Sequence, residues 1–231
     1  MTKPCTLWLI RHGETDWNLA GRMQGHLEVP LNETGRRQAR LLAQHLERQP
    51  LRFAALCSSD LGRAKETAGE IGRALQLVPS IHPALRERNF GVLAEMTMAE
   101  AEVRQPELFA LMRARDTRFV PPGGESLTQL STRVREELVQ IARRWPGEQV
   151  IVVSHGGAID IAWRAATGAE LSAKRGHELF NASINRVRVF EGARFELAGW
   201  GDVAHLEESQ PSPRGERERV RAAREGSRRL R

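Results

Sequence analysis

The sequence predicts an α/β fold: a three-layer sandwich whose mostly parallel central sheet is flanked by helices. Short, almost continuous apolar runs at residues 6–10, 53–57 and 149–153 are typical of strands in a parallel sheet buried on both faces. Single apolar stripes at helical spacing lie between these runs, and strands that alternate with helices indicate this architecture. With 231 residues, 40% hydrophobic and 28% charged, the chain can bury the core of one domain.

The spacing of apolar residues places the helices and the remaining strands. Residues 61–75 and 127–145 each carry one stripe that steps by three or four. Another helix is predicted to begin with Thr34 as its N-cap. Residues 77–81 indicate a weaker fourth strand, and residues 184–200 predict a late hairpin.

The chain divides into a main domain, an insertion and a tail. The main domain is predicted to span residues 1–206, with residues 94–124 as a helical lid or insertion, because the alternation of strands and helices stops there. The net charge is +6, and residues 211–231 alone hold eight Arg and three Glu, which leaves the rest nearly neutral. We therefore expect residues 207–231 to form a basic, disordered tail, and nucleic-acid binding is not expected.

Composition argues against several other classes. No apolar run approaches the roughly 20 residues of a membrane span. The first apolar run, at residues 7–10, is too short for the apolar region of a signal peptide. The two cysteines, Cys5 and Cys57, cannot form a disulfide framework and are expected to be buried thiols. These features predict a cytoplasmic protein with no membrane partner.

Reactive polar residues follow four of the predicted strands. The segments R-H-G-E-T, S-S-D-L-G-R, R-E-R-N-F-G and S-H-G-G begin at positions 11, 58, 86 and 154. Ligands of open α/β sheets bind at the carboxyl ends of the strands. We expect one cleft there that holds two histidines, at least two arginines and a glutamate.

This set of side chains suits a phosphate ester. Guanidinium groups match phosphate oxygens, and helix N-termini add backbone N–H groups. A neutral imidazole can attack phosphorus covalently, while a carboxyl group protonates the leaving oxygen and later activates water. Two guanidinium groups make a metal unnecessary, and no His or Cys pair has the spacing of a metal site.

Seven motifs carry a resemblance to a known family. In chain order they are RHGETDWN, GRMQGH, PLNETGRRQA, SSDLGRAKETA, LRERNFG, PPGGES and VVSHGG. Across residues 6 to about 206, the chain resembles the histidine phosphatase superfamily, the phosphoglycerate-mutase-like proteins. The resemblance implies a metal-independent phosphomonoesterase, a histidine acid-type phosphatase without a cofactor, that acts on a small phosphorylated metabolite.

The resemblance also implies roles for the matching residues. His12 would be the nucleophile that becomes phosphohistidine, and Glu87 would be the proton donor and acceptor. Arg11, Arg63 and His155 would hold and stabilise the transferring phosphoryl group. The substrate-binding positions would be Asn18, Gln24, Gly25 and Gly156.

Two other nucleophiles fit the sequence less well. Cys57 and Arg63 have the C-x5-R spacing of cysteine-dependent phosphatases, but Asp60 between them would repel a phosphate dianion, and a buried thiol is a poor nucleophile. Ser154 lacks the G-x-S-x-G elbow of serine hydrolases. The remaining histidines are expected to be surface or structural residues: His26, His45, His82, His177 and His205.

The family's two branches differ in the fate of the phosphoryl group. Phosphatases pass it to water, whereas mutases return it to a reoriented intermediate. The GRMQGH motif, the absence of Tyr, the short insertion and Arg113-Ala114-Arg115 in place of paired arginines favour the phosphatase branch. The alternative is a mutase that depends on 2,3-bisphosphoglycerate. A non-catalytic phospho-ligand binder fits less well, because every reactive position is filled, and the oligomeric state stays open.

Overall fold

The computed structural model describes residues 3–207, and within them the strands form one six-stranded sheet in the order β3-β2-β4-β1-β5-β6. In chain order, β1 to β6 span Cys5–Arg11, Ala55–Ser58, Ser80–Ile81, Gln149–Ser154, Ile184–Val189 and Phe195–Asp202. The pairs β3–β2, β2–β4 and β4–β1 are parallel, whereas β1–β5 and β5–β6 are antiparallel. The mostly parallel sheet is confirmed, and the late hairpin extends it at one edge.

Helices cover both faces of this sheet. In chain order, α1 to α8 span Asp16–Leu19, Glu33–Glu47, Gly62–Leu75, Met98–Arg104, Pro106–Arg113, Leu127–Arg144, Gly156–Thr167 and Ala204–Glu207. Along β1, Leu7 and Leu9 belong to the core cluster that contains α6 and α7, whereas Trp8 and Ile10 belong to the cluster with α2 and α3. Because successive strand side chains point to opposite faces, this alternation produces the predicted three layers.

Two differences from the predicted element boundaries have a clear physical cause. Helix α2 begins at Glu33, and the prediction of Thr34 as its N-cap was wrong: the Asn32 side chain accepts from the Gly35 N–H at 2.8 Å. Asparagine is among the strongest N-capping residues, so the cap forms two positions earlier. The weak fourth strand shortens to Ser80–Ile81, directly after Pro79, which has no N–H to donate to a neighbouring strand.

Residues 94–124 contain α4 and α5, which share a small apolar cluster with residues outside the segment. Its buried members include Leu93 and Phe109, together with Met23 from the loop after α1. Backbone hydrogen bonds join Met23 to Glu95 and Met96, at 2.8 and 3.0 Å. The segment is thus anchored beside the carboxyl end of the sheet, and its role as a lid stays a prediction.

Other expectations concern the termini and the cysteines. The predicted tail, residues 207–231, lies outside the described residues except for Glu207. Both Cys5 and Cys57 are free and buried, as expected. Within residues 3–207, no helix has the length and apolar character needed to cross a membrane.

Candidate active site

The strand-end segments meet at the carboxyl edge of the sheet. His12 directly follows β1, Arg63 lies in the first turn of α3 after β2, and His155 lies between β4 and α7. The rings of His12 and His155 are 5.1 Å apart between centroids. Both rings and the Arg63 side chain are buried, so the structure brings together in one place the residues that the sequence predicted to converge.

The local backbone around His12 depends on close packing between glycines. A Cβ atom at Gly13 would lie 2.4 Å from the carbonyl oxygen of Gly35, far inside van der Waals contact. The Gly13 N–H also donates to the Thr67 hydroxyl of α3 at 3.1 Å. The segment after β1 is therefore fixed between α2 and α3, and this fixes the position of His12.

A single hydrogen bond determines the tautomer of His12. Its Nδ1 lies 2.7 Å from the carbonyl oxygen of Gly13. Because a carbonyl oxygen can only accept, Nδ1 carries the proton and Nε2 keeps its lone pair. Burial, followed by the charges of Arg63 and Arg11, lowers the pKa of His12 well below 6.5. The imidazole is thus neutral at physiological pH.

Three buried nitrogen atoms near His12 have no hydrogen-bond partner among the described residues. They are Arg11 Nε, Arg63 Nε and His155 Nδ1. The Ser59 hydroxyl lies 2.8 Å from His155 Nε2, and when it donates to that nitrogen the ring proton lies on Nδ1, which can then donate to a ligand. Burial lowers the pKa of Arg63 to about 10, which leaves the group charged at neutral pH. Unsatisfied buried donors are costly, and an anion supplies the missing acceptors.

The Glu87 carboxylate is held against the N-terminus of α7. Its Oε2 accepts from the Gly157 N–H at 2.9 Å and its Oε1 accepts from the Arg88 N–H at 2.7 Å. A Cβ atom at Gly157 would lie 2.1 Å from Glu87 Oε1, so only glycine leaves room for this arrangement. Gly156 lies at the same helix end, and a Cβ atom there would lie 3.7 Å from Arg11 Nε and 3.8 Å from Glu87 Oε2.

The residues that hold the Glu87 loop in place were not predicted from the sequence. Arg133 of α6 donates to the carbonyl oxygens of Ala84, Arg86 and Glu87 at 2.8–2.9 Å, and it pairs with both oxygens of Glu125. His26 Nε2 donates to the same Glu87 carbonyl at 2.8 Å, so the structural role expected for His26 fits this contact. Glu125 lies in the PPGGES motif. Arg133 lies on the polar side of a helix and belongs to none of the seven motifs, so the sequence did not mark it.

The predicted substrate-binding positions make different contacts. Asn18 Oδ1 accepts from Thr15 and Asn181, so its amide nitrogen is the part left for a ligand. Gln24 is buried, and its Oε1 has no partner among the described residues. Gly25 accepts a 2.8 Å hydrogen bond from Arg63 through its carbonyl, so its contact within the chain orients that arginine.

A cavity of about 340 Å³ opens beside Glu87, Arg11 and the two glycines of α7. Its apolar lining includes Met23, Phe90, Met98, Met112 and Leu171. Its cationic lining includes Arg88 and Arg115, which donate only to backbone carbonyls and form no ion pair with a described carboxylate. This cavity can hold the leaving group of an ester whose phosphoryl group lies at His12.

The C-x5-R arrangement does not form a phosphate loop. Burial raises the pKa of the Cys57 thiol, and Cys57 packs in the core on the α6 and α7 face of the sheet. Arg63 instead lies beside His12, and its charge lowers the pKa of that imidazole. Both carboxylate oxygens of Asp60 accept hydrogen bonds from the Arg86 guanidinium, at 2.7 and 2.6 Å. Among residues 3–207, no cluster of three or more His, Cys, Asp or Glu side chains could hold a metal ion.

Known proteins similar to this chain show its family. Residues 7–203 match the family model described as "Histidine phosphatase superfamily (branch 1)". A metal-independent phosphoserine phosphatase of Arabidopsis thaliana is 40% identical over 200 residues, which cover 86% of this chain and 82% of that protein. Phosphoglycerate mutase-like protein 4 of the same plant is 37% identical over 203 residues, covering 87% and 86%.

A solved structure gives the same result for the fold. The phosphoserine phosphatase of Entamoeba histolytica, in complex with 3-phosphoglyceric acid, superposes with a TM-score of 0.76 at 26% identity, covering 87% of this chain and 99% of that one. These similarities support phosphomonoesterase activity. The chain belongs to the histidine phosphatase superfamily.

Proposed function

We propose that this protein is a metal-independent phosphomonoesterase that forms a phosphohistidine at His12. The observation that carries the proposal is the set of three buried, unpaired nitrogen atoms, two of them guanidinium N–H donors, around a neutral imidazole. A phosphoryl group seated there would accept from Arg11 Nε, Arg63 Nε and His155 Nδ1. Preorganised donors of this kind are worth about 3–4 kcal/mol each in rate when charge develops on the oxygens.

The first chemical step transfers the phosphoryl group to the enzyme. His12 Nε2 attacks phosphorus, the bond from phosphorus to the ester oxygen breaks, and Glu87 in its protonated form gives its proton to the leaving oxygen. The Gly13 carbonyl accepts the hydrogen bond from Nδ1 and favours the imidazolium-like charge that develops on the ring. Asn18, Gln24 and the Gly156 N–H add hydrogen bonds to the phosphoryl oxygens.

The second step releases inorganic phosphate. Glu87, now ionised, removes a proton from a water molecule that attacks the phosphohistidine, and the bond from His12 Nε2 to phosphorus breaks. The same carboxyl group thus serves as acid and then as base. Two guanidinium groups balance the charge of the phosphoryl group, so the mechanism needs neither a metal nor another cofactor.

The cavity beside Glu87 indicates the kind of leaving group. Its unpaired cations, Arg88 and Arg115, favour a small phosphorylated metabolite that carries a second acidic group. This agrees with the relative named as a phosphoserine phosphatase and with the neighbour that holds 3-phosphoglyceric acid. We also propose a cytoplasmic location, with which the free thiols of Cys5 and Cys57 agree.

The contacts of the arginines favour hydrolysis over mutase chemistry. Of the interrupted pair, Arg115 lines the cavity, but Arg113 is exposed and lies 3.6 Å from Glu102 on the surface. Only one of the two therefore adds a cation to the leaving-group cavity. Incubation with 3-phosphoglycerate primed by 2,3-bisphosphoglycerate should give mainly inorganic phosphate. A ratio of 2-phosphoglycerate to phosphate well above one would make the mutase alternative correct.

The proposal is tested by hydrolysis assays with EDTA present throughout. Phosphoserine, 3-phosphoglycerate and p-nitrophenyl phosphate should all be turned over, and added Mg²⁺ should not raise the rates. Arg115→Met should raise KM for 3-phosphoglycerate by about tenfold, the loss of one charge-assisted contact, with little effect on p-nitrophenyl phosphate. Arg113→Met is the matched control and should change neither. Loss of all turnover in EDTA, restored by a divalent cation, would overturn the proposal.

A further inference from the structure

A second cavity, of about 300 Å³, shares no lining residue with the cavity beside Glu87. It lies between the β2–β3 edge of the sheet and the end of α6, and its apolar lining includes Leu77, Val78, Ile141 and Trp145. Ser80 and His82 also line it. These two residues are two positions apart on an extended edge, so their side chains project to the same side.

A continuous hydrogen-bond chain runs from Ser80 into α6. The Ser80 hydroxyl lies 2.8 Å from His82 Nε2, and His82 Nδ1 lies 2.6 Å from the Glu137 carboxylate. The carboxylate accepts, so Nδ1 carries the ring proton and Nε2 is free to accept from the hydroxyl. His82 and Glu137 side chains are only 12% and 16% exposed, so water competes little for this bond.

Ser80 is exposed on the edge strand. Its hydroxyl also lies within hydrogen-bond distance of the Leu56 carbonyl and the Cys57 sulfur, at 3.3 and 3.4 Å, and the contact with His82 Nε2 at 2.8 Å is the shortest of the three. Ser80 as nucleophile, His82 as base and Glu137 as the carboxylate that orients the base are therefore arranged like a Ser-His-acid triad. Such a triad is recognised by geometry and roles rather than by a sequence motif.

We propose that Ser80, His82 and Glu137 form a second nucleophilic site, which takes activated esters with an apolar acyl group. The Ser80 oxygen forms a bond to the acyl carbon while His82 Nε2 takes the hydroxyl proton. The bond from that carbon to the leaving oxygen breaks, and the leaving group departs with the proton from His82. Water then releases the acid by the same steps, and the cavity receives the acyl chain.

The test uses the full chain with His12→Ala, which removes the proposed phosphatase chemistry from the readout. The probes are an alkyl fluorophosphonate, in which the serine oxygen displaces fluoride from phosphorus, and p-nitrophenyl butyrate. Peptide mass spectrometry should find the phosphonyl group on Ser80, with a labelling rate at least tenfold above that of exposed Ser172. Ser80→Ala should abolish ester hydrolysis.

The supporting residues provide the decisive comparison. Glu137→Gln should slow labelling at Ser80 by at least tenfold, because the ring loses the partner that fixes its tautomer. Ser172→Ala is the matched control and should have no effect. Labelling of Ser80 no faster than that of Ser172, or labelling unaffected by Glu137→Gln in a variant that melts like the parent, would show that the three residues only join β3 to α6.

Discussion

Substitution of Gly157 by alanine adds one methyl group at the point where α7 meets Glu87. The new Cβ would lie 2.1 Å from Glu87 Oε1, whereas ordinary contact begins at 3.4 Å. The carboxylate must therefore move by about 1 Å or more, and it loses its hydrogen bond with the Gly157 N–H at the N-terminus of α7. A displacement of this size costs on the order of 10²-fold in rate when the displaced group takes part in the chemistry.

The loss should depend on the leaving group. Hydrolysis of phosphoserine, whose alkoxide needs a proton, should fall about 100-fold in Gly157→Ala, whereas p-nitrophenyl phosphate should lose less than tenfold. Thermal stability should not fall, because alanine is favoured over glycine in a helix by about 0.5–1 kcal/mol. The assay is steady-state kinetics on both esters, with the melting temperature measured alongside.

Gly69 in α3 provides a matched control. The Cβ of Gly69→Ala would meet no atom within 4 Å. This variant should retain most of the activity. Full activity of Gly157→Ala on phosphoserine, or equal losses on both esters at an unchanged melting temperature, would refute the role assigned to Glu87.

Three further predictions follow from contacts in and around the site. His12→Ala should remove essentially all phosphatase activity while Cys57→Ser retains most of it; the reverse would move the nucleophile to Cys57. Arg133→Lys, which keeps the charge but not the forked contacts to the Glu87 loop, should lower kcat about tenfold on phosphoserine, more than on p-nitrophenyl phosphate, at unchanged KM. Burial lowers the pKa values of His12 and His155 below 6.5, so the stability that depends on their neutral forms is fully present above that pH. It is lost as pH falls, by up to about 1.4 kcal/mol per pH unit for each histidine. The free energy of unfolding, measured with urea from pH 7 to 5, should therefore fall less steeply with pH in His12→Ala.

The layers and most of the site could be predicted because they follow from local patterns. Leu7 and Leu9 point to one face of the sheet and Trp8 and Ile10 to the other, and because all four are apolar, helices must cover both faces. His12 and His155 each follow the end of a parallel strand, so they meet at one edge of the sheet. No tertiary information is needed for that step. Position along a parallel strand is enough, because all parallel strands end at the same edge.

Other features depend on contacts between residues far apart in the sequence. Arg133 is 46 residues from Glu87, and its role exists only because α6 packs beneath the Glu87 loop. The N-cap of α2 was misplaced because both Asn32 and Thr34 are capable caps, and only the path of the preceding loop decides between them. His82 was expected to be a surface or structural residue, as a lone histidine usually is, and no motif marks its partners Ser80 and Glu137.

The most direct test of the proposed mechanism is to trap the covalent intermediate. The enzyme is mixed with a fast-reacting phosphomonoester in EDTA, quenched in alkaline denaturant that preserves phosphohistidine, and mapped by peptide mass spectrometry and ³¹P NMR. The mechanism predicts one phosphoryl group on His12 Nε2, because Nδ1 is occupied by the Gly13 carbonyl, and none in His12→Ala. Phosphate on Cys57 or His155, or no phosphoenzyme during rapid turnover, would contradict it.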